Sequence, residues 1–121
     1  MSDSANRPAP ARVNAAIRQL LERGGIAALA TIVAGPSQVG AKLLVENTGE
    51  VSGDLGDATL NSAVTGFAQR FLATRDEAHT FSVGELAPEL TSLAATRILF
   101  ERIQSEPQIV IFGAGLSIGT A

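Results

Sequence analysis

Residues 26–33 read Ile26-Ala27-Ala28-Leu29-Ala30-Thr31-Ile32-Val33. The run is apolar apart from Thr31, and it closes on three β-branched residues suited to a pleated strand. We read it as a buried strand; its alanines leave a helix open as the alternative. The rest of the fold depends on that choice. With a strand here, helical and extended patterns alternate along the chain, and the class is α/β or α+β with a small mixed sheet.

Upstream, the pattern from Pro10 to Arg23 is helical. Val13, Ile17, Leu20 and Leu21 fall at i, i+4, i+7 and i+8, one stripe of a 3.6-residue period. Gly24-Gly25 stops it. Residues 1–9 are polar and proline-bearing, and are expected to form a flexible tail.

Downstream, Ala34-Gly35-Pro36-Ser37 breaks the strand. Ala41 to Glu46 (AKLLVE) predicts a second strand, Asn47-Thr48-Gly49 a hairpin turn, and Glu50 to Gly53 a returning third. Gly56-Asp57 opens a second main helix, with Asp57 as N-cap. Leu60, Ala63, Val64, Phe67, Ala68 and Phe71 make its buried stripe. Thr80 to Val83 and Thr96 to Ile103 predict two more strands, with a loop around Pro88 between them. Ile109 to Phe112 is apolar throughout, as in a strand buried on both faces of a parallel sheet.

Composition narrows the function. The chain has 121 residues and 45% hydrophobic residues, enough for one globular domain. Its net charge of −3 does not favour nucleic acid or an anionic membrane as partner. It has no cysteine, which removes disulfides, thiolate metal sites and cysteine nucleophiles together. No apolar run approaches the length of a membrane span. The start, MSDSANRPAPAR, lacks the apolar region of a secretory signal, so a cytoplasmic protein is expected.

The C-terminal glycines carry the sharpest motif. Gly113, Gly115 and Gly119 follow Ile109-Val110-Ile111-Phe112 as GxGxxxG, a spaced variant of the dinucleotide-binding turn. Such a site also needs the following helix, a second strand and an acidic residue about 20 positions on. NAD(P) is therefore expected only with a further C-terminal domain.

Four stretches together resemble one family: AALATIV, GPSQVGAKLLV, GEVSGDLGDATL and RILFERIQSEPQIVIFGAGLSIG. They look like the XdhC/CoxI family over roughly residues 13–121. The resemblance implies an N-terminal α/β domain at 10–104, and a linker with the start of an incomplete Rossmann domain at 105–121. It also implies a longer parent protein. By function it implies an accessory factor for a molybdenum hydroxylase of the xanthine dehydrogenase or carbon monoxide dehydrogenase type. Such a factor handles the molybdenum cofactor (molybdopterin) and inserts it into the apo-enzyme, as a chaperone more than an enzyme.

The family's GSS-x-G-AKM segment is similar to Gly35-Pro36-Ser37 and Gly40-Ala41-Lys42-Leu43. Its G-S-x-S-G-G-C-x-E segment falls on Gly53 to Asn61. Gly53 and Leu55 fit; Thr59 stands where many members have cysteine, and Asn61 where they have glutamate. A cysteine in a first helical turn would be an activated thiolate; Thr59 is not.

The candidate cofactor-binding residues are accordingly Ser37, Gly40, Lys42, Gly53, Gly56, Asp57 and Thr59, with Gly113, Gly115 and Gly119 for a nucleotide. Backbone amides at Gly53, Gly56 and Asp57 can face a pterin or phosphate, or make an ordinary turn and cap. Lys42 can pair a phosphate or sit solvated on a strand, and Ser37 can bond a ligand oxygen or close its own turn. His79 reads as an exposed loop histidine, and Glu85 and Glu89 as solvated acids. Two other readings stand beside the family one. A nicotinamide-dependent oxidoreductase rests on IVIFGAG, and a dimerisation module, with a homodimer expected, rests on the apolar strand Ile109–Phe112 as an edge.

Overall fold

The apolar run is the middle of a sheet. The computed structural model describes residues 9–105, and Ile26–Ala34 is its β1. Before it comes α1 (Ala9–Glu22). After it come β2 (Lys42–Glu46), β3 (Val51–Gly53), α2 (Ala58–Leu72) and β4 (Ala78–Ser82). A short α3 (Val83–Leu86), a 3₁₀ turn (Thr91–Leu93) and β5 (Arg97–Gln104) complete the order.

The sheet order is β3-β2-β1-β5-β4. The α/β character expected from the sequence is present. Its pairing, expected to be mixed, is antiparallel at all four interfaces among the described residues. For β1–β2 and β2–β3 the cause is connectivity: the joining chains are too short for a helical crossover, and short connections return antiparallel; β4 and β5 are joined through α3 and the 3₁₀ turn. Only the β1–β5 pair is distant in sequence, with Ala30 opposite Phe100.

β1 lacks polar alternation because both its faces are covered. Ala27 and Leu29 meet Val13 and Leu20 of α1 together with Leu44. Ala28, Ala30 and Ile32 meet Leu60, Val64, Ala68 and Phe71 of α2. Alanines on the central strand let a helix approach from each side. Phe100 fills the second core, with Phe67, Phe71 and Phe81 at 5.4, 5.8 and 5.7 Å between ring centroids. Burying such a ring stabilises by about 1.5–3 kcal/mol. Leu21, expected in the α1 stripe, is 39% exposed.

Two local features differ from the sequence reading. Val83, expected to end a strand, begins α3 instead, and the expected loop around Pro88 contains the 3₁₀ turn. At the end of β1 the register with β5 slips between Ile32 and Ala34, and Val33 is left 43% exposed. This bulge bends the strand end beside the loop to β2. The chain past Ser105, where the sequence predicts a linker, a terminal strand and a glycine turn, lies outside the described residues, as do residues 1–8.

Candidate functional site

A cavity of about 210 Å³ opens where the β1–β2 loop, the β3–α2 loop and the 3₁₀ segment converge. Its apolar wall is Ile32, Leu55, Leu60 and Leu93; its polar groups come from Ser37, Gln38, Asp57, Ser92 and Thr96. Pockets for drug-sized ligands run from about 300 Å³ upward, so this one suits a small ring system and not a dinucleotide.

The β3–α2 loop is built from its own side chains. Gly56 N–H donates to Asp54 Oδ1 at 2.8 Å. Asn61 Nδ2 donates to the same oxygen at 2.9 Å, and Asn61 Oδ1 accepts from Leu55 N–H at 2.9 Å. Asp57 caps α2 as expected, accepting from Leu60 N–H at 2.9 Å. The Asn61 side chain, the amide of Gly56 and, more weakly, Arg12 hold the Asp54 carboxyl below the usual aspartate range. Of the amides expected to face an anion, that of Gly56 is thus engaged within the loop.

The sequence candidates separate in space. Ser37, Gly56 and Asp57 share the cavity. Thr59 is exposed in the first turn of α2 and does not line it. Gly40 N–H donates to Ile32 O at 2.8 Å, which closes the β1–β2 loop. Lys42 pairs with Thr31 in the sheet and donates to its hydroxyl at 3.2 Å. Strand parity puts Lys42 with Leu44 on the α1 face, away from the cavity, which Ile32 reaches from the other face. Gly53 has φ +103, and a Cβ there would strike Lys42 O and come within 2.7 Å of Val13 Cγ2. Its place is the seam between α1 and the sheet. Gly113, Gly115 and Gly119 lie outside the described residues.

Residues not singled out beforehand complete the site. Gln38 has φ 63, in the left-handed region. Thr96 is 1% exposed, and among the described residues its Oγ1 is buried without a hydrogen-bond partner. Its backbone is fully engaged: Thr96 O accepts from Val83 N–H at 2.8 Å, and Thr96 N–H donates to Leu93 O at 2.9 Å. Nothing in the sequence marks Thr96, because its burial comes from the approach of Gly35, where a Cβ would sit 2.8 Å from the hydroxyl. His79 is exposed in β4 and stacked on Phe81 at 4.3 Å, not in a loop. No group of metal-ligating side chains occurs among the described residues.

The family described as XdhC and CoxI matches the chain over residues 20–84. That span carries β1, both glycine-bearing loops and α2, and so most of the cavity; Ser92, Leu93 and Thr96 fall beyond it. No curated protein matches the chain.

Proposed function

The chain belongs to the XdhC and CoxI family, associated with molybdenum hydroxylase maturation, and from that premise we propose that it is an accessory factor handling the molybdenum cofactor. The observation that carries the reading is the coincidence of the family match with the cavity: the matched span supplies seven of the ten lining residues. The partner is then the apo-hydroxylase, of the xanthine dehydrogenase or carbon monoxide dehydrogenase type.

The cofactor joins a pterin ring to a dithiolene and a phosphate, and supplies oxygen-atom redox chemistry once in its hydroxylase. The residues fit these parts unequally. Ser37, Gln38 and Ser92 offer neutral hydrogen-bonding groups above an apolar wall, which suits the ring. No lysine or arginine lines the cavity, and no cysteine is present to meet the metal. The part assigned to this chain is therefore holding and shielding the ring while transfer occurs.

The test is binding of molybdopterin to the purified chain, followed by its pterin fluorescence after oxidation, and activation of apo-hydroxylase with and without the chain. Retention of pterin and faster activation support the reading. Absence of both removes it.

A further inference from the structure

We propose that the outer edge of β4 binds the same edge of a second copy of this chain, antiparallel and centred on Thr80, to give a symmetric homodimer. The contact stands apart from the cofactor-handling reading and from the cavity.

The sheet treats its two edges differently. β3, at one end of the order, is three residues long and closes on Gly53, packed against Val13 of α1. So short an edge resists further pairing. β4, at the other end, is Ala78-His79-Thr80-Phe81-Ser82. It holds no lysine, no proline and no carboxylate, the residues that blunt an exposed edge. Its register with β5 runs unbroken from Ala78 to Ser82, so no bulge turns it aside.

Backbone parity fixes what this edge presents. Arg102 N–H donates to Glu77 O, and Val83 N–H to Thr96 O, each at 2.8 Å. The odd-numbered residues from Glu77 to Val83 therefore turn their backbone groups to β5. Ala78, Thr80 and Ser82 turn theirs away from the sheet. Among the described residues no strand pairs on that side.

A two-fold axis at Thr80 matches these groups to themselves. Thr80 exchanges both hydrogen bonds with the partner's Thr80, and Ala78 exchanges them with the partner's Ser82. No other two-fold register keeps all three residues within the strand. The side chains agree with it. His79 and Phe81 share the face of Phe100 and Ile98, and each His79 falls opposite the partner's Phe81 in the closer, non-hydrogen-bonded pair. An aromatic surface is already built there. His79 is exposed and stacks on Phe81 at 4.3 Å, Phe81 meets Phe67 edge-on at 4.5 Å, and Arg70 lies over Phe67 at 5.4 Å. On the other face Ala78, Thr80 and Ser82 are small. Continued beyond the strand, the same register directs Arg75 toward the partner's Glu85 and opposes no like charges. The axis stands perpendicular to the sheet, so both α2 helices lie on one side of a sheet continuous through the two copies.

The test uses the full chain, in which an introduced cysteine is unique. Residues paired as the two Thr80 would be have Cα atoms about 5.5 Å apart, within the span of a disulfide. Thr80→Cys should cross-link to a covalent dimer in glutathione disulfide, and Asn14→Cys, exposed on α1, should not. By sedimentation equilibrium the wild-type mass should rise toward that of a dimer with concentration. Thr80→Lys sets two ammonium groups at the axis, and Thr80→Pro removes an amide hydrogen that β5 does not use. Both should stay monomeric with wild-type circular dichroism; where either unfolds the chain, the cross-linking comparison decides. A wild type that is monomeric at high micromolar concentration overturns the proposal. So does cross-linking of Asn14→Cys as fast as of Thr80→Cys, or a dimer that survives Thr80→Lys and Thr80→Pro. A dimer kept in Thr80→Lys but lost in Ile111→Lys assigns the contact to the segment after β5 and overturns it as well.

Discussion

The side chain of Gln38 occupies the place that a Cβ at Gly56 would need: the two would lie 2.9 Å apart at Gln38 Cδ. This contact joins the β1–β2 loop to the β3–α2 loop, and both line the cavity. Gly56→Ala must push Gln38 aside and hold alanine at φ +96. The left-handed backbone alone should cost about 1–2 kcal/mol. Urea denaturation reads this directly; an unchanged midpoint would mean that the loop relaxes freely.

Gly53 is more tightly confined. Alanine there meets the Lys42 carbonyl, which is backbone, and Val13, which is fully buried. Strain of about 1–3 kcal/mol from the backbone and a similar amount from overpacking should add. Gly53→Ala is expected to lose about 3 kcal/mol or more, with α1 loosened from the sheet. Faster amide exchange through residues 11–22 would report that loosening.

Asp57→Ala removes the cap of α2 and should cost about 1 kcal/mol. Asp57→Asn keeps an accepting oxygen, so most of that loss should be recovered. Equal losses in the two variants would assign the effect to charge at the helix start and not to the cap.

Asp54 predicts a pH dependence. Its folded-state pKa lies below the ordinary 3.8. Its contribution is present in full above that value and is lost as pH falls through the lower folded value. Asp54→Asn should flatten the acid limb of the stability profile in that window. An acid limb identical to wild type would show that other carboxylates set it.

Glu46 has a 6% exposed side chain and pairs with Arg23, whose own side chain is 49% exposed. Arg23→Ala leaves the carboxylate short of a partner. The half-exposed guanidinium means the loss should be near 1 kcal/mol and not the several expected of a fully buried pair. The loss should shrink in a Glu46→Gln background, and a double-mutant cycle measures the difference.

What the sequence revealed follows the range of the forces involved. The Asp57 cap is legible because side chain and amide are three residues apart. The β2–β3 hairpin is legible for the same reason: Asn47-Thr48-Gly49 turns the chain within a few bonds. The face of Lys42 could have been found, since its position alternates with Leu43, which faces α2. α3 was hidden because four residues leave no periodicity to read. Thr96 was hidden for a different reason. Its environment is made by Gly35, distant in sequence, and by the Ile32–Ala34 bulge, neither of which sequence reasoning places beside it.

The pairing of β1 with β5 also sets the order in which the chain can assemble. Ala30 must find Phe100, 70 residues later, before the middle of the sheet exists. The hairpins on either side are local and can form early, but closing that long loop costs entropy that only the completed core returns. On the ribosome, β1 therefore waits as an apolar edge until β5 has emerged. Its exposure to chaperones, and to pairing with a neighbouring nascent chain, lasts as long as the synthesis of the segment between them.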